Sequence, residues 1–142
     1  MTPADTPRGD AAIRAGSKSF AAASRLFDDH TRRLTWALYA WCRHCDDVVD
    51  GQQLGHGAIA REGRADALAG LRRETERALA GATDGAPPFA GLAWVVRETR
   101  LPPAFPRVHL DGFAMDVEGR RYETLEQTLE YCYHVAGVVG LM

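Results

Sequence analysis

Between Thr31 and Asp50 the chain carries no Gly or Pro, and Leu34, Leu38, Trp41, Cys45 and Val48 recur at steps of four, three, four and three. On a 3.6-residue helix those steps lie on one stripe. Tyr39, Arg43, Asp46 and Asp50 recur at four, three and four on another face. Asp28 and Asp29 precede the run as N-cap candidates. The pattern predicts one helix over 31–50, buried along its apolar stripe, with carboxylates converging on a cavity on the other side.

The same reading carried along the chain gives helices and no strand pattern. A short helix is expected over 17–27, with Phe20, Ala23, Ser24 and Phe27 on one moderately apolar face. Gly51 to Gly57 reads as a polar turn. A helix over 58–80 has only a thin apolar stripe of Ile59, Leu68, Leu71, Ala78 and Leu79, and is expected to be peripheral and solvated. Phe89 to Arg100 follows, with Leu92, Val95 and Val96 buried and Pro102-Pro103 beyond it. Phe105 to Val117 is the fifth helix, with Leu110, Phe113 and Ala114 buried. Asp111 and Asp116, five apart, do not share a face, and capping or pairing with Arg120 or Arg121 is the expected role. Thr124-Leu-Glu-Gln127 fits a capping box opening a last helix that runs to the chain's end. Tyr131, Val135, Val138 and Val139 fall on one face of it. Gly137 and Gly140 each cost a helix ~1 kcal/mol relative to Ala, which asks for close helix packing.

Composition narrows the class. The chain has 142 residues, 46% hydrophobic and 25% charged, with a net charge of −2. That is one domain of ordinary globular composition, with no basic surplus for a nucleic-acid partner. No stretch approaches the ~20 apolar residues of a membrane span. Residues 1–14 read as a disordered tail and 15–142 as the folded part. Three cysteines make no disulfide framework, which fits a reducing cytoplasm. Cys42 and Cys45 form a C-x-x-C deep within the 31–50 helix, where core packing is the expected role.

Asp46 and Asp50 are an awkward pair for a helix. Like charges four apart repel, and the last turn already disfavours anions. A hard cation between them would relieve this, and Mg²⁺ typically takes one or two carboxylates plus phosphate oxygens. On the spacing alone, a solvated acidic helix end is the more ordinary account. Ser17, Lys18 and Ser19 open a helix whose N–H groups, hydroxyls and ammonium suit phosphate oxygens, while simple capping by Ser17 is the alternative.

Several separated motifs now fall into register. Tyr39-Ala-Trp-Cys-Arg-His-Cys-Asp-Asp-Val-Val-Asp50 resembles the first aspartate-rich motif of the squalene/phytoene synthase family. Ser17-Lys-Ser-Phe20 resembles its opening Ser-x-Ser-Phe, and Tyr131-Cys-Tyr-His-Val-Ala-Gly-Val-Val-Gly140 its later Tyr-Cys-x-x-Val-Ala-Gly segment. Asp111-Gly-Phe-Ala-Met-Asp116 with Arg121-Tyr122 is similar to the bacterial phytoene synthase branch. The resemblance implies an all-α, isoprenoid synthase-type helical bundle, of which this chain is the N-terminal half. It implies head-to-head condensation of two geranylgeranyl diphosphates to phytoene through prephytoene diphosphate. Asp46 and Asp50 would hold Mg²⁺, with Mn²⁺ as a substitute. Arg43, Ser17, Ser19 and Lys18 would bind diphosphate. Tyr39 and Tyr131 would face the reacting carbons, and Gly137 and Gly140 would leave room for an isoprenoid chain. The partners it implies are an isoprenoid diphosphate, no nucleic acid, and a membrane surface met through the lipophilic product; the expected location is cytoplasmic or membrane-associated.

The family is roughly twice this length and carries a second aspartate motif on a later helix. No second D-x-x-x-D follows here. The expectation is therefore a missing C-terminal half, exposed apolar faces, and a chain inactive alone. Two rivals stand beside this reading: a squalene- or dehydrosqualene-type synthase using farnesyl chains, and a non-catalytic helical scaffold.

Overall fold

The computed structural model describes residues 17–51 and 61–142, and the expectations for 1–14, for most of the Gly51–Gly57 turn and for Ile59 lie outside them. Six α-helices are described: α1 (Lys18–Ala23), α2 (Asp29–Asp50), α3 (Arg61–Leu79), α4 (Pro87–Thr99), α5 (Ala104–Val117) and α6 (Leu125–Cys132). A 3₁₀ turn, Ser24–Leu26, follows α1; a π-turn, Tyr133–Gly137, and a 3₁₀ turn, Val138–Leu141, follow α6. The described residues contain no strand.

Helix boundaries follow local chemistry. Asp28 caps α2: one carboxylate oxygen accepts from the backbone N–H groups of His30 and Thr31, each at 3.0 Å, and the other from the Thr31 hydroxyl at 2.6 Å. These bonds hold the Asp28 carboxyl below its ordinary pKa, the Thr31 hydroxyl contributing most. Pro87 opens α4, where its missing N–H removes nothing. Arg100, with φ 57°, closes that helix in the left-handed region usually given to glycine, its N–H bonded to the Val96 carbonyl. The capping box on α6 forms in full: Thr124 Oγ1 accepts from Gln127 N at 3.2 Å, and Gln127 Oε1 accepts from Thr124 N at 3.4 Å.

The described residues group into two compact units, one of residues 17–44 and 74–100, the other of residues 45–51, 61–73 and 101–142. In the first, Trp41 and Leu92 are wholly buried among Ala37, Leu38, Phe89, Ala93 and Val95. Trp41 Nε1 donates to the hydroxyl of Thr75, itself fully buried, at 3.4 Å. Trp36 Nε1 likewise donates to Ser24 Oγ at 2.9 Å, so the buried polar groups of this core are satisfied by one another. His44 meets Phe89 edge-on at 5.4 Å. Burial of Leu68, Leu71, Thr75 and Ala78 makes α3 less peripheral than its thin stripe suggests, because Thr75 enters the core through its hydrogen bond to Trp41.

In the second unit Cys45, Val49, Leu68, Leu71, Leu101, Leu110, Phe113, Met115 and Val138 are buried. Val48 and Val49 straddle the line through Leu38, Trp41 and Cys45; Val49 is the one enclosed, not Val48. Gly112 on α5 is the point of closest approach to the π-turn. A Cβ there would lie 2.9 Å from Val135 Cγ1 and 3.2 Å from the His134 carbonyl carbon. His109, 4% exposed, bonds the His134 carbonyl through Nδ1 at 3.1 Å. A carbonyl only accepts, so Nδ1 carries the proton. Burial pushes this imidazole below its ordinary pKa, against the opposing pull of that bond.

Two expectations about the C-terminal stretch are corrected. The 3.6-residue period ends at Cys132, and the wider π-turn gives each residue a smaller rotation, leaving Val138 buried while Tyr131, Val135 and Val139 are half-buried. Close packing falls on Gly112, whereas a Cβ on Gly140 would meet nothing within 4 Å and the nearest neighbour of one on Gly137 would be Tyr133 of its own turn, at 3.2 Å. Leu26, Phe27, Leu125, Leu129, Tyr133 and Leu141 are exposed apolar side chains.

Candidate functional site

The continuous α2 puts Tyr39, Arg43, Asp46 and Asp50 on successive turns of one helical face. Tyr39, Arg43 and Asp46 are half-buried and Asp50 is exposed. The helix has no basic residue in its last turn, so the C-terminal end of the dipole adds to the mutual repulsion of the carboxylates. Oxygen ligands on adjacent turns beside an open end suit a hard cation that completes its shell elsewhere. Among the described residues no three His, Cys, Asp or Glu side chains gather as a metal-holding group. Two carboxylates on one helix face are the donor number that Mg²⁺ takes from a protein when phosphate and water oxygens complete its shell.

Ser17, Lys18 and Ser19 stand at the start of α1. Ser17 Oγ accepts from Phe20 N at 3.3 Å, the capping bond, and lies 3.3 Å from Ser19 Oγ. Lys18 and Ser19 are exposed. One turn on, the Phe20 ring stacks on Tyr39 with centroids 5.2 Å apart and planes 24° from parallel. This contact brings the Ser-Lys-Ser turn beside the Tyr39 end of the α2 face. On the moderately apolar face of this helix Phe20, Ala23 and Phe27 are exposed, and Ser24 alone is enclosed, where its hydroxyl accepts from Trp36 Nε1.

Tyr131 sits near the end of α6, just before the π-turn. Its hydroxyl donates to Asp116 Oδ2 at 3.1 Å, and its ring lies 5.1 Å from that of Tyr122 at 36°. Arg120 stands over Tyr122 at 5.8 Å and pairs with Glu130 at 3.1 Å. Desolvation, then the Asp116 bond and charge, push the Tyr131 phenol up to about 12. Tyr122 is also pushed up, by desolvation first and by Asp116 next. Asp116 therefore serves Tyr131, not Arg120 or Arg121, and Asp111 pairs with Arg72 at 2.9 Å. Sequence reasoning missed Asp116, Tyr122, Arg120 and Glu130 as a group. The available signal was the run of charged and aromatic residues on either side of the Thr124 cap.

An open groove of about 440 Å³ lies between α3 and α5, lined by Ala65, Leu68, Ala69, Arg72, Ala114, Val117 and Glu118. None of the residues assigned to a site from the sequence lines it. Cys45 is buried, Cys42 half-buried and Cys132 exposed, so the C-x-x-C is helix packing on one side only.

A family model described as squalene/phytoene synthase matches residues 13–142. The 15-cis-phytoene synthase of Pantoea ananas is 52% identical over 129 residues, covering 89% of this chain and 42% of that protein. The phytoene synthase of Pseudescherichia vulneris is 54% identical, covering 89% and 42% respectively. A crystal structure of a dehydrosqualene synthase in complex with ligand superposes with a TM-score of 0.77 at 28% identity, over 94% of this chain and 44% of the other. The fold is thus all-α and of the isoprenoid synthase type. The chain spans less than half the length of these relatives.

Proposed function

This chain belongs to the squalene/phytoene synthase family, and we propose that it forms part of a head-to-head prenyltransferase that joins two geranylgeranyl diphosphates into phytoene through prephytoene diphosphate. The observation that carries the reading is the Tyr39–Arg43–Asp46–Asp50 face of one helix, in a chain 52% and 54% identical to proteins named phytoene synthases. Such a condensation needs a diphosphate leaving group stabilised while positive charge develops on carbon.

Asp46 and Asp50 would hold Mg²⁺, or Mn²⁺ in its place. Bound there, the ion supplies Lewis-acid stabilisation of the departing diphosphate. Arg43, on the same face, presents a guanidinium fork suited to phosphate oxygens. Ser19 and Lys18 offer a hydroxyl and an ammonium from the turn that Phe20 docks against Tyr39; Ser17 and Ser19 share one hydrogen bond, so one of the two hydroxyl protons is left for a phosphate oxygen. Tyr39 offers the ring face not stacked on Phe20 to developing cationic charge. Tyr131 offers a second phenol to the reacting carbons.

No described helix is long and apolar enough to cross a membrane. A cytoplasmic protein meeting the membrane only through its hydrocarbon product fits this reading. The test is to incubate the purified protein, at its full coding length, with geranylgeranyl diphosphate and Mg²⁺ and to analyse the hydrocarbon. Phytoene is the expected product. Products from farnesyl diphosphate alone would favour a dehydrosqualene-type synthase, and no product from either substrate would leave a scaffold.

A further inference from the structure

We propose that Asp116 is a positioning residue for Tyr131: its carboxylate takes the phenol's only donor, so Tyr131 meets the substrate with oxygen lone pairs and a ring face. The proposal rests on the reading above that Tyr131 faces the reacting carbons.

A phenol has one O–H and two lone pairs. The O–H of Tyr131 is directed to Asp116 Oδ2 at 3.1 Å. It is then unavailable to a leaving diphosphate, and the oxygen presents only electron density. An electron-rich oxygen suits a site where carbon becomes cationic.

The placement of Asp116 is costly in itself. It lies next to the last residue of α5, where the helix dipole disfavours a carboxylate and no basic residue shares the turn. The hydrogen bond to Tyr131 gives that position a use. Three segments converge on the ring. Asp116 comes from α5; Arg120 and Tyr122 come from the following loop; Glu130 and Cys132 flank Tyr131 on α6. Tyr122 lies against the ring, Arg120 lies over Tyr122, and Glu130 anchors Arg120. Oxygen direction and ring plane are therefore set by different partners. The phenol pKa of about 12 agrees, since a group so held stays protonated across the working range of an enzyme.

The experiment is a double-mutant cycle on the purified full-length protein with geranylgeranyl diphosphate. Asp116→Ala is expected to lower kcat ~10-fold or more with KM within ~2-fold, since positioning acts on the transition state and not on substrate binding. Asp116→Asn, whose amide oxygen still accepts, should recover most of the loss. In a Tyr131→Phe background, Asp116→Ala should add nothing, because residues acting through one contact are non-additive. A readout independent of turnover is the absorbance of phenolate on alkaline titration. The Tyr131 phenol, at about 12, should titrate lower in Asp116→Ala by the part of its shift that Asp116 supplies, with burial still holding it up and Tyr122 moving down beside it, and the Tyr131 step should vanish in Tyr131→Phe. Unchanged kcat in Asp116→Ala, beside an impaired Tyr131→Phe, would overturn the proposal alone. Multiplicative losses in the double variant would overturn it too. Wild-type turnover by Tyr131→Phe would overturn the underlying site reading and the proposal with it. Asp116 is exposed, so Asp116→Ala should fold; if it does not, Asp116→Leu, which keeps the bulk and cannot accept, takes its place in the cycle, and that cycle overturns the proposal if its losses multiply.

Discussion

Arg43, Asp46 and Asp50 are placed by one uninterrupted helix, whereas Tyr131 is placed by Asp116, Tyr122 and the turn that follows it. In α2 the backbone alone decides which side chains share a face, and packing decides only how deep the helix lies. At the end of α6 the backbone changes period within two residues of Tyr131, and tertiary contacts decide where the phenol points. The first arrangement is robust to changes elsewhere and carries its own electrostatic cost in two clustered carboxylates. The second carries little cost in its own helix but depends on α5 and on the loop before the Thr124 cap.

That contrast predicts which substitutions act on chemistry and which on structure. The largest effect is expected at the carboxylates. On the function proposed above, Asp46→Asn or Asp50→Asn in the protein at its full coding length should lower phytoene formation by ~10³-fold, as expected when a group acting on developing charge is lost. Circular dichroism should show no loss of helix, and in Asp50→Asn the melting temperature should hold or rise as repulsion is relieved. A large drop in melting temperature would mean that these side chains are structural.

Gly112→Ala tests the other arrangement. Its new Cβ would press on the His134 backbone as well as on Val135, and backbone cannot swing aside. Overpacking of this kind costs ~1–3 kcal/mol, measurable by urea unfolding, and the Tyr131 phenol should titrate differently while the α2 face is undisturbed. Thr124→Ala should come next. Losing a cap costs ~1 kcal/mol, and fraying at the start of α6 should appear as faster amide exchange over Leu125–Thr128 and nowhere in α2.

The smallest effect belongs to Asp28. Its folded pKa lies below the ordinary value of 3.8, so its capping contribution is fully present above pH 4 and is lost as pH falls through the depressed value. Asp28→Asn, which caps without charge, should remove that pH dependence from the first turn of α2 and leave α6 untouched. Amide exchange of His30 and Thr31 across pH 2–5 reads it out, and identical acid sensitivity in both proteins would assign the effect to another carboxylate.

The same contrast explains what could be read from the residues alone. The α2 face was legible because a helix of constant period converts spacing into direction. The Asp28 and Thr124 caps were legible because capping is a local pattern. The choice between Val48 and Val49 was not, since both flank the stripe and only the neighbouring chain separates them. Thr75 was missed because a threonine counts as polar until a Trp41 indole is known to reach it. Gly112 was passed over for Gly137 and Gly140, because nothing within α5 shows that another segment crosses at that point. Asp116 was read for a partner a few residues away, and its actual partner is fifteen residues on.

The π-turn at Tyr133–Gly137 also bears on how this protein can change length. A π-turn holds one residue more than the α-turn it replaces. Removing one residue from it would return the segment to an ordinary α-helix, with Tyr131 before it and Val138 after it keeping their orientations. Removing one residue from the stretch before Tyr131 in α6 would instead swing both side chains together by about 100° relative to the start of that helix. The segment after Tyr131 is therefore a place where an ancestral chain can have gained a residue without disturbing either neighbour, and where a deletion is absorbed.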